Sequence, residues 1–120
     1  MTEDLYRIRR KQEEEETAFF RDKKALLDQE AALYQHKTET IRALDDLADR
    51  TRHYLQDFVA DRSDLQRAFQ MIGSASDEVT TVYRKENDAL TYQLEELEAD
   101  HRKKQAGYNQ ELQVARGKEA

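Results

Sequence analysis

The stretch Met71-Ile72-Gly73-Ser74-Ala75-Ser76-Asp77-Glu78-Val79 decides how the rest of the chain is read, because it holds the strongest interruption signal in a sequence without proline. Apolar residues recur at three- and four-residue steps before it, from Leu5 to Phe58, and after it, from Val79 to Leu112. That is the spacing of a narrow buried stripe on an α-helix. Gly73 suits the left-handed conformation that ends a helix, and Ser76-Asp77-Glu78 offers a cap and an acidic first turn for the next one. The pattern predicts an all-α chain: a long antiparallel two-helix hairpin, coiled-coil-like, with its turn near Gly73–Ser76. Residues 1–120 then form a single elongated domain, with arm one at about 2–72 and arm two at about 77–115. Arg116 to Ala120 fall outside the pattern and are expected to fray.

A second break is written at Asp61-Arg62-Ser63-Asp64, where Ser63 and Gln66 resemble a capping box. A turn there gives arms of nearly equal length, but the helix must then run through Gly73 at a cost of about 1 kcal/mol. The glycine turn is preferred, with 61–64 as the alternative. In the preferred register Leu65 lies near Tyr83, Leu55 near Leu94 and Ile41 near Tyr108. Roughly the first thirty residues, about 45 Å of helix, are left without an intramolecular partner.

Leu, Ile, Val and Phe together make up less than one fifth of the 120 residues, and charged residues reach 38%. Composition alone would permit disorder, but the helical repeat and the abundance of Ala, Glu, Lys, Leu and Arg argue for long helices. A formal net charge of −6 opposes binding to nucleic acid or to an anionic membrane surface. The basic cluster Arg7, Arg9, Arg10 and Lys11 is cancelled by Glu13 to Glu16. No cysteine is present to build a disulfide or thiolate site. Met1-Thr2-Glu3-Asp4 is acidic and has no apolar run after it, so neither a secretory leader nor a membrane-inserted span is read. Thr2, with Glu3 and Asp4, suits the start of the first helix.

The stripe of the first arm is uneven, since seam positions between Ile8 and Leu33 include Gln12, Glu15 or Glu16, Lys23 and Glu30. Phe19-Phe20, Leu26-Leu27 and Leu33-Tyr34 double it at heptad steps. Adjacent residues point about 100° apart on a helix, so Phe20, Leu27 and Tyr34 form a second stripe beside Phe19, Leu26 and Leu33. These six residues are the candidate partner-binding surface. Either a homodimer or a different helical protein would cover it. Ion pairs such as Glu3 with Arg7, Asp46 with Arg50, Glu98 with Arg102 and Asp100 with Lys104 decorate the surface at about 0.3–0.5 kcal/mol each. They cannot replace a core.

Glu98 and His101 have the Glu-x-x-His spacing of di-iron bundles, but neither His36 nor His53 supplies a second pair. No metal, cofactor or catalytic residue is read, and an enzyme is not expected. Tyr92-Gln93-Leu94-Glu95-Glu96 fits Tyr-x-x-x-Asp/Glu, a pattern found on the second helix of some proteins exported by type VII secretion, which makes Tyr92 and Glu96 a candidate secretion signal.

Taken whole, the cysteine-free, proline-free acidic hairpin with its Gly73–Ser76 turn resembles the small helical proteins associated with LXG-domain toxins in Gram-positive bacteria. These are related in shape to the WXG-type secreted proteins, although Met71-Ile72 stands before Gly73 where those carry tryptophan. The resemblance implies a non-enzymatic adaptor or targeting chaperone. It would bind the N-terminal helical region of an LXG-type toxin, with a second small helical protein, and promote export by type VIIb secretion. It also implies a place in the bacterial cytoplasm, with co-export as an option. A self-associating coiled-coil scaffold or stalk component of another bacterial apparatus is the alternative.

Overall fold

The computed structural model describes residues 2–57 and 62–119, and among them every residue is helical. Helix α1 spans Thr2–Asp57 and helix α2 spans Arg62–Glu119. The fold class is all-α, as the repeat requires, and the two helices pair antiparallel as a hairpin.

The turn expected at Gly73–Ser76 is not there. α2 runs straight through it, and Gly73 has no positive φ. The division into arms at 2–72 and 77–115 is therefore replaced by helices that end at Asp57 and begin at Arg62. Magnitudes explain the outcome. A glycine inside a helix costs about 1 kcal/mol, whereas each large apolar side chain moved out of water returns about 1.5–3 kcal/mol. Arms of equal length give the early apolar residues a partner helix, and that gain exceeds the glycine penalty. Local propensity lost to burial. Of the alternative break, Arg62 to Asp64 form the first turn of α2, while Asp61, like Phe58 of the first stripe, lies outside the described residues.

The chain divides into two helix-paired units. Unit 1 joins Met1–Gln29 to Leu90–Ala120, and unit 2 is Glu30–Ala89. In unit 1 the pairs Gln12 with Gln105, Glu15 with His101 and Lys23 with Glu98 fix the antiparallel register. The first thirty residues are thus paired, contrary to the glycine-turn register. In unit 2, Tyr34 meets Tyr83 and Arg52 sits over Phe69. Tyr83 consequently faces Tyr34 where the sequence register had set Leu65.

Local chemistry suits long helices. Glu3 and Asp4 place negative charge at the start of α1, and Arg116 and Lys118 place positive charge at the end of α2. The helix continues to Glu119, past Ala115 where the apolar repeat ends. Thr17, Thr40, Thr80 and Thr81 return their hydroxyl protons to the carbonyl four residues earlier, which satisfies them inside a helix. Of the surface pairs, Asp46 with Arg50 and Asp100 with Lys104 form. Arg7 takes Asp4, and Glu98 takes Lys23 across the seam.

Candidate partner-binding face

Unit 1 has the better-defined seam. Phe19 and Leu112 are its buried apolar residues, and among the described residues no others reach that degree of burial. The His101 ring lies flat on Phe19, with centroids 3.8 Å apart and planes 7° from parallel. His101 Nδ1 stands 2.9 Å and 3.0 Å from the two carboxylate oxygens of Glu15. Gln105 Nε2 donates to Glu15 Oε2 at 2.6 Å. Gln12 Nε2 donates to Gln105 Oε1 at 2.7 Å and to Asn109 Oδ1 at 3.2 Å. Five polar side chains on two helices therefore close one hydrogen-bonded layer across the seam.

Partial burial works to raise the Glu15 pKa, but hydrogen bonds from His101 and Gln105, with the positive charges of His101 and Lys104, outweigh it. Its carboxyl is held below its ordinary value. Lys23 Nζ bonds Glu98 at 3.3 Å and sits 5.7 Å from the Phe19 centroid. Seam positions that looked weak in the first arm, Gln12, Glu15 and Lys23, are each answered by a polar residue on α2. This layer was missed at the sequence level, although Gln12 and Glu15 on one stripe and His101 and Gln105 on the other were its signal. Glu98 and His101 are both engaged elsewhere, and among the described residues no group of three or more His, Asp or Glu side chains is placed to hold a metal.

The six candidate partner-binding residues separate cleanly. Phe19 is only 7% exposed, while the adjacent Phe20 is 61% exposed. Leu26 and Leu33 are half-buried in the seam, and Leu27 is 43% exposed. Phe20 retains a tilted contact with Phe19 and lies 6.5 Å from the His101 ring. Thus unit 1 turns Phe19 and Leu26 into its seam and leaves Phe20 and Leu27 exposed. In unit 2, Tyr34 is also exposed, but its ring meets Tyr83 edge-on at 6.3 Å. Lys37 Nζ is 4.8 Å from both tyrosine centroids, so Tyr34 is partly committed within its own unit.

Tyr92 of the candidate secretion signal is exposed on α2. The Glu96 carboxylate one turn later interacts with its hydroxyl and raises the phenol pKa. Tyr92 and Glu96 thus lie one turn apart, both exposed on α2. No helix among the described residues is long and apolar enough to cross a membrane. No protein-family model matches this chain, and neither a curated protein nor a solved structure does.

Proposed function

We propose that the protein is a non-enzymatic helical adaptor. In this reading it binds the N-terminal helical region of an LXG-type toxin, alongside a second small helical protein, and promotes export through type VIIb secretion. One observation carries the reading: Phe20 and Leu27 stand exposed one heptad apart on α1 of unit 1, beside a seam that Phe19 and Leu26 already occupy. Apolar anchors at that spacing match what an amphipathic partner helix requires. A two-helix unit has no third layer of its own to cover them, and a pair of partner helices would complete a four-helix bundle. The exposed Tyr92–Glu96 pair is proposed as the signal read by the export machine. The protein would act from the bacterial cytoplasm.

Co-expression with a helical LXG-type region tests the proposal. A stoichiometric complex is expected, weakened at least about tenfold by Phe20→Glu with Leu27→Glu, with helicity by circular dichroism unchanged. Tyr92→Ala should preserve the complex and reduce export. An unaffected complex in the double variant, or no complex with any such region, overturns the adaptor reading. A self-associating scaffold would instead purify as a homo-oligomer with no second protein.

A further inference from the structure

Four exposed apolar residues of unit 2 share a register position. Leu47 immediately precedes half-buried Ala48, Tyr54 precedes Leu55, Met71 precedes Ile72 and Val82 precedes Tyr83. In an antiparallel pair the residue before the seam turns to the same side on both helices, because reversing the chain direction and reversing the facing direction cancel. The four therefore lie on one face of unit 2. A groove lies at the Val82 end of that face, lined also by Leu33, Ala75 and Val79. Its α1 side contributes His36 and Lys37 and no acid, and its α2 side contributes Glu78 and Glu86 and no base.

We propose that this face joins two copies of the chain about a two-fold axis running along the helix pair, so that α1 of each copy lies over α2 of the other. Such an axis keeps every residue at its own level. The contacts of Tyr34 with Tyr83 and of Arg52 with Phe69 set Leu47 nearly level with Ile72, so Leu47 of one copy meets Met71 of the second. The same operation lays the His36 and Lys37 side of the groove over the Glu78 and Glu86 side of the other copy. A two-fold axis across the helices would stack α2 on α2 and set the two glutamate edges against each other, which like-charge repulsion disfavours.

The size of the face agrees. Residues 33 to 54 extend about 32 Å, and two packed helices present a width of about 20 Å, giving on the order of 600 Å² per copy. A standard interface uses about 800 Å² per partner, so association in the micromolar range is expected. This contact uses neither Phe20 nor Leu27 and does not rest on the adaptor reading.

Sedimentation equilibrium of the full chain between about 1 and about 100 μM is the first test, and a dimer is expected. Met71→Lys and Val82→Lys should each raise the dissociation constant at least about tenfold, with helicity unchanged, because both positions are exposed in the single copy. Since the chain has no cysteine, Leu47→Cys mixed with Met71→Cys should cross-link on oxidation, and Leu47→Cys alone should not. A monomer throughout the range overturns the proposal, as does a dimer indifferent to both lysines. Self-cross-linking of the Leu47→Cys variant overturns the axis. Loss of the dimer with Phe20→Glu but not with Met71→Lys assigns self-association to unit 1, and Met71→Lys blocking only a complex with an LXG-type region gives the face to that partner; either result overturns the proposal.

Discussion

In unit 1 the seam carries Gln12, Glu15, His101, Gln105 and Asn109 in one bonded layer beside buried Phe19, whereas in unit 2 the cross-helix contacts run through Tyr34, Tyr83, Lys37 and the Arg52–Phe69 pair. Unit 2 contains no buried apolar residue among those described, and it leaves Leu47, Tyr54, Met71 and Val82 exposed. The difference separates two tasks a seam performs. A polar layer in which each partner is bonded selects one register, because any other pairing strands a buried donor or acceptor. Aromatic and cation contacts tolerate displacement, and their stabilisation comes mainly from covered area. Unit 1 specifies its pairing, while unit 2 pairs with less specificity and leaves apolar surface exposed.

The largest expected effect lies in unit 1. Phe19→Ala removes its most buried side chain and the surface on which His101 stacks, and should cost about 3–5 kcal/mol in urea denaturation. Tyr83→Ala, the nearest counterpart in unit 2, should cost about half as much, since Tyr83 is only half-buried. Equal losses would break the comparison. Next, Glu15→Ala leaves the His101 and Gln105 donors without their acceptor and should cost about 1–2 kcal/mol. Acid titration sharpens this prediction. Because the folded carboxyl is held below its ordinary value of 4.5, its contribution is fully present above that pH and is lost as pH falls through the lowered value. Glu15→Gln should therefore flatten the acid limb of the stability profile, and an unchanged limb would show that the layer is not coupled to folding.

Gly73→Ala should stabilise the protein by about 1 kcal/mol in thermal or chemical denaturation, because an added Cβ meets nothing within 4 Å and φ is not positive. A loss of stability would restore the turn at that site. The smallest effect belongs to the surface. Asp46→Ala removes an exposed pair with Arg50 and should leave the denaturation midpoint within error.

The helical class was legible because the three- and four-residue steps from Leu5 onward need no knowledge of the partner helix. The exposed positions of Phe20 and Leu27 were legible for the same reason, as each follows a stripe residue by about 100°. The turn was not. Gly73-Ser74-Ala75-Ser76 carries a local stop signal, and only the summed burial along both arms reveals that the signal is overridden. Nor was the bonded layer, since Glu15 and His101 are 86 residues apart and their meeting depends on register. Once the helices end at Asp57 and begin at Arg62, Gln12, Glu15 and Lys23 change from defects in a stripe into halves of cross-helix pairs.

That bonded layer also limits how the molecule can move. Sliding α1 by one heptad would carry Glu15 from His101 toward Leu94 or Tyr108, away from the side chains that now solvate its charge. Helices that transmit signals by gliding past each other need a seam whose layers are interchangeable, and this one has an index notch. Any rearrangement of unit 1 must therefore proceed by prising the rods apart, a motion that would bring Phe19 and Leu112 into water together.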